Sequence, residues 1–109
     1  MPIPNTAKEI VEAMPRAFQP EKAKGLRATY QLELNGEGGG TWVMEIADGR
    51  CQVREGRADA PDGTLTMAAS DYVALAKGEL DVIKAFMSGR IKFQGDLSLA
   101  ARLPSLFKR

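Results

Sequence analysis

Hydrophobic positions recur along this chain with two different periods, and the switches between them mark the elements. Ala7, Ile10, Val11, Met14 and Phe18 fall at helical spacing. Asn5 or Thr6 can cap that helix, with Glu9 three residues after Thr6. Pro15 interrupts the pattern, so the regular helix is expected to end near Met14, with a bend returning Phe18 to the core and a loop over Pro20 to Gly25. From Arg27 to Asn35 the period becomes two: Ala28, Tyr30, Leu32 and Leu34 share one face, and Arg27, Thr29, Gln31 and Glu33 the other. A glycine-rich loop from Asn35 to Gly40 leads to a second strand with Trp42, Met44 and Ile46 inward. Asp48-Gly49 suits a type I′ hairpin turn into a third strand, Arg50 to Glu55, with Cys51 and Val53 inward. These three strands form a meander, apolar on one side and polar on the other.

Pro61-Asp62-Gly63 closes a loop before a fourth strand, Thr64 to Ala68, that carries Leu65 and Met67. Ser70 is expected to cap a short helix with Tyr72, Val73, Leu75 and Ala76, ended by Gly78. The next helix places Leu80, Ile83, Phe86 and Met87 on one stripe and ends at Gly89. Arg90 to Gln94 reads as a fifth strand with Ile91 and Phe93. Asp96 can cap a last helix bearing Leu99, Ala100, Leu103, Leu106 and Phe107, which Pro104 should kink or split. A half-polar meander followed by clustered helices predicts an α+β, two-layer architecture.

At 109 residues the chain has the length of one domain, so residues 1–109 are read as a single unit. The net charge of +1, from 15 basic and 14 acidic residues, supplies no long-range field to attract nucleic acid. No apolar run is long enough to span a bilayer. The start lacks the features of a secretory signal, the end is no Ser-Lys-Leu address, and a lone cysteine forms no internal disulfide, so a cytoplasmic location is expected.

Candidate chemistry is thin. With 0 histidines the usual general base and zinc ligand are missing. Cys51 reads as a small buried hydrophobe. Asp48, Asp62, Asp71 and Asp96 occupy turn and cap positions, and Glu33 and Glu45 lie on the polar side of strands. Gly38-Gly39-Gly40 leads into no helix, so it offers no phosphate cradle. Arg50, Arg54 and Arg57 form a local basic group, read as solvated surface. No enzyme, metal site or cofactor is expected. What remains is apolar: Met44, Met67 and Met87, with Trp42, Phe86, Phe93, Leu99 and Leu103, are assigned to one interior. Pattern alone reads this as a close-packed core, since interiors are normally filled.

The order of several short motifs points further. Asp62-Gly63-Thr64-Leu65-Thr66-Met67 is followed by Ser70-Asp71-Tyr72, then by the stretches Leu75 to Leu80 and Ala85 to Asp96. Leu103, Leu106-Phe107, Phe18-Gln19-Pro20 and Asp48-Gly49 fit the same series. Together they resemble the sterol carrier protein two family, the small sterol- and lipid-transfer domain. The resemblance implies a five-stranded, mostly antiparallel sheet of order 3-2-1-4-5, covered on one face by helices, with an apolar tunnel between the layers. It implies non-enzymatic binding, and transfer, of a long-chain lipid: a fatty acid, a fatty acyl-CoA or a sterol-like molecule. Met67, Val73, Leu80, Ile83, Phe86, Met87, Phe93, Leu99, Leu103 and Leu106 would then wall the tunnel, with Trp42 and Met44 completing the expected ligand-binding set. The last helix is the expected lid because Pro104 weakens it, and Lys108 and Arg109 would meet an anionic headgroup or a membrane surface. The alternative is an accessory or dimerisation module whose groove holds a partner segment, for which a homodimer is the simplest form.

Overall fold

The computed structural model describes residues 6–107. Asn5, Lys108 and Arg109, to which capping and headgroup roles were assigned above, lie outside the described residues. Helix α1 spans Ala7–Ala17. The Thr6 side chain accepts a hydrogen bond from the Glu9 amide at 3.2 Å, and its hydroxyl donates to the Glu9 carboxylate at 2.8 Å. The helix does not stop at Met14. Pro15 and Arg16 are exposed within it, while Met14 before them and Ala17 after them line the interior cavity. Packing of that inner face therefore overrides the local penalty of a mid-helix proline. Phe18 leaves the helix extended and bridges Phe107, their rings 5.8 Å apart.

Strands β1 (Ala28–Asn35), β2 (Gly40–Ala47) and β3 (Arg50–Glu55) form the expected antiparallel meander. Asp48 and Gly49 adopt φ of 54° and 73°, the left-handed pair that a type I′ turn requires. Strand β4 (Gly63–Ala68) pairs parallel to β1, and β5 (Lys92–Gly95) pairs antiparallel to β4. The sheet order is β3-β2-β1-β4-β5, mostly antiparallel with one parallel pair.

A parallel neighbour requires the chain to cross from the β3 edge to the far side of β1. Residues 56–62 make that crossing, and side chains of β1 hold it. Gln31 donates to the Gly56 carbonyl and accepts from the Ala58 amide at 2.8 Å. Arg57 pairs with Glu33, and Asp62 accepts from the Thr29 amide at 2.8 Å. Gln31, expected on a polar face, is thus buried.

Helix α2 (Ala69–Ala76) starts one residue before Ser70 and has no side-chain cap. Helix α3 (Val82–Met87) is capped by Asp81, whose carboxylate accepts from the Ile83 and Lys84 amides. Helix α4 (Leu97–Arg102) is capped by Asp96 and passes into a 3-10 turn over Leu103–Leu106, the split expected of Pro104. No helix among the described residues is long and apolar enough to cross a membrane.

The interior falls into two apolar clusters. One gathers Val11, Leu32, Leu34, Trp42, Met67 and Tyr72 with Ala85 of the α3 helix and Ile91, just before β5. The other gathers Tyr30, Met44 and Ile46 with Leu99 and Leu106. The Tyr30 hydroxyl donates to the Leu99 carbonyl at 3.0 Å and ties α4 to the centre of the sheet. Burial, the main cause, pushes the Tyr30 phenol up to about 12.

Candidate functional site: an apolar cavity between sheet and helices

Members of both clusters wall a cavity of about 330 Å³. Its floor is the inner face of the sheet: Leu32, Met44, Leu65, Met67 and Phe93. Period-two alternation puts all of them on the same side. Helix α1 supplies Ile10, Ala13, Met14 and Ala17, and α2 supplies Tyr72, Leu75 and Ala76. Val82 and Phe86 come from α3, and Ala100, Leu103 and Phe107 close the remaining side. Ala76 and Phe86 are the exposed members of this wall and mark its rim.

Two features keep the space open. Four wall positions are alanines, so facing elements approach without filling the gap between them. On the floor, the Phe93 ring lies directly over Gly63, where a β-carbon would collide with it. The absent side chain at Gly63 lets Phe93 lie down on the sheet.

The twelve sequence-expected ligand residues separate into groups. Met44, Met67, Phe86, Phe93 and Leu103 come together on the cavity wall. Trp42, Leu99 and Leu106 are buried in the flanking clusters instead. Trp42 stacks against Gly40 and borders a separate groove beside the Gly38–Gly40 loop. Val73 and Leu80 pack half-buried against the first cluster. Ile83 and Met87 face solvent, 68% and 82% exposed, which corrects the expectation of an inward stripe. The reason is the register of α3. It begins only at Val82, leaves Leu80 in the preceding loop and buries Ala85. The sequence reading placed helix α1 but left all of its residues out of the ligand-binding set. Its signal was Ala13 and Ala17, four apart on the stripe of Ile10 and Met14.

The wall carries no charged side chain, and Tyr72 is its single hydrogen-bond donor among side chains. Its hydroxyl donates to the Met14 thioether at 2.7 Å. Desolvation by burial, and secondarily the nearby Cys51, raises the Tyr72 phenol well above its ordinary range. Burial likewise pushes the Cys51 thiol up to about 11, so it is protonated and unreactive at neutral pH. Among the described residues, no group of three or more His, Cys, Asp or Glu could hold a metal ion.

The expected lid is tied down. The Gln19 amide donates to the Leu106 carbonyl at 2.8 Å, the Gln19 side chain reaches the Ser105 carbonyl, and Arg102 reaches the Lys22 carbonyl. By contrast α3 buries only Ala85. The least anchored side of the cavity is therefore α3.

The profile of the SCP-2 sterol transfer family matches residues 8–108. Mouse hydroxysteroid dehydrogenase-like protein 2 is 38% identical over 87 residues, 79% of this chain but 18% of that protein. This chain thus spans about a fifth of the length of that curated relative. Among solved structures, palmitated SCP2L2 from Aedes aegypti superposes with a TM-score of 0.77 at 26% identity, covering 96% of this chain and 94% of that one. The sec-alkylsulfatase Pisa1 from a Pseudomonas species superposes with a TM-score of 0.82 at 18% identity, over 95% of this chain and 16% of that one; this likeness concerns the fold alone.

Proposed function

This chain belongs to the SCP-2 sterol transfer family, and we propose that it binds one long-chain lipid, without catalysis, in the cavity between sheet and helices. The observation that carries this reading is a cavity of about 330 Å³ with no charged side chain in its wall, set between two filled apolar clusters. Small-molecule sites span ~300–1,000 Å³, so this one suits a single chain. The palmitated state of the Aedes aegypti neighbour supports an alkyl guest.

The driving force is hydrophobic transfer. Each methylene that leaves water gains ~0.8 kcal/mol, about fourfold in affinity. Native mass spectrometry of the purified protein should reveal co-purifying lipid. Displacement of the neutral fluorophore N-phenyl-1-naphthylamine by straight-chain alcohols should tighten about fourfold per added methylene until the cavity is full. Absence of saturable fluorophore binding, together with no chain-length dependence, overturns the reading.

Exchange of the guest occurs at α3. Exposed Ile83 and Met87 lie beside the rim residue Phe86, and Lys84, Arg90 and Lys92 are exposed nearby. Apolar side chains ringed by cations suit transient contact with an anionic membrane surface. The single cysteine, Cys51, which can form no internal disulfide, fits a reducing, cytoplasmic setting. Two copies meeting through the same apolar face is the competing use of α3, and size-exclusion mass with and without lipid separates the two.

A further inference from the structure

We propose that the Tyr72 hydroxyl is a polar anchor inside the cavity, one that favours lipids carrying a neutral hydroxyl or carbonyl group at their buried end. The inference rests on the lipid-binding reading above and adds a ligand class to it.

Three observations converge. First, every other side chain of the wall is aliphatic, phenyl or thioether, so Tyr72 is the one place where a buried ligand oxygen finds a side-chain donor. Second, its present partner is replaceable. The Met14 sulfur is a weak acceptor on a flexible, unbranched side chain, whereas a ligand hydroxyl or carbonyl oxygen is a stronger one. Both residues belong to the cavity wall, so a guest reaching that point can displace the thioether and take over the bond. Third, the ring is held. It is buried in the first cluster, on a helix that follows β4 directly, so the donor is positioned before a ligand arrives.

The wall also decides the charge of that ligand group. With no cation in the wall, a carboxylate placed beside Tyr72 would be desolvated and unpaired, which is costly. Fatty acids therefore keep their carboxylate at the rim and bury only the methyl end. The raised ionisation of Tyr72 keeps it a donor throughout the neutral range.

The test compares 1-decanol, decane and decanoate on the whole chain and on Tyr72→Phe, by displacement of N-phenyl-1-naphthylamine. The substitution should weaken 1-decanol about fivefold, the loss of one neutral hydrogen bond, and leave decane and decanoate within about twofold. Unchanged decane binding certifies an intact cavity in the variant. Met14→Leu, which removes the competing acceptor, should tighten 1-decanol and not decane. Equal effects of Tyr72→Phe on 1-decanol and decane, no effect on either, or a loss confined to decanoate overturns the anchor and leaves lipid binding standing. If none of the three displaces the fluorophore from the unsubstituted chain, lipid binding itself fails.

Discussion

Gly63 does two things that one atom would undo. Its backbone pairs with both β1 and β5, and its bare α-carbon supports the Phe93 ring. Gly63→Ala would place a methyl group inside that ring's volume, so Phe93 must lift off the sheet toward the cavity. Overpacking of this kind costs about 1–3 kcal/mol. The expected outcome is a lower urea midpoint at unchanged slope, with fewer methylenes accommodated in the alcohol series. An unshifted midpoint with full chain-length capacity would show that Phe93 does not depend on Gly63. The same residue shows what pattern reading can and cannot see. Pro61-Asp62-Gly63 reads correctly as the end of a loop, yet the need for glycine comes from a ring thirty positions later. Gln31 is a similar case, since its burial depends on a crossing segment that its own strand does not announce.

At the scale of elements, legibility followed length. The eight-residue strands β1 and β2 give four and three inward side chains, and these faces could be read from alternation alone. Asp48-Gly49 and Asp96 are local signals with local outcomes. Helix α1 outran its proline because the apolar stripe continues beyond it. Helix α3 failed as a reading because six residues are too few for a stripe to fix a register. Shifting its start from Leu80 to Val82 moves Ile83 and Met87 from the presumed interior to solvent. Their exposure makes them separable from the cavity. Ile83→Ser with Met87→Ser should leave stability within about 0.5 kcal/mol and the affinity for 1-decanol unchanged. Delivery of a fluorescent lipid to vesicles containing phosphatidylserine should slow several-fold if α3 makes the membrane contact. Delivery at the unsubstituted rate would assign that contact to another surface.

On the scale of the whole molecule, the charges and the cavity occupy different places. The four ion pairs seen among the described residues, Lys8–Glu55, Arg27–Asp48, Arg54–Glu45 and Arg57–Glu33, all lie outside the cavity wall. With a net charge of +1 the molecule also presents little overall field. Binding of a neutral guest should therefore ignore most of what modulates protein–ligand contacts in water. Between about 0.05 and 0.5 M salt, screening changes sharply at the surface and scarcely at a site without charges. Between about pH 5 and 9 no wall residue titrates. Tyr72 is the only ionisable one, and its raised ionisation means the donor form persists to still higher pH than a free phenol would allow. The dissociation constant of 1-decanol should thus stay within about twofold across both ranges, read by fluorophore displacement. An affinity that falls steeply with salt would mean that the guest is held by the exposed lysines and arginines. The apolar space between the two clusters would then be incidental to binding.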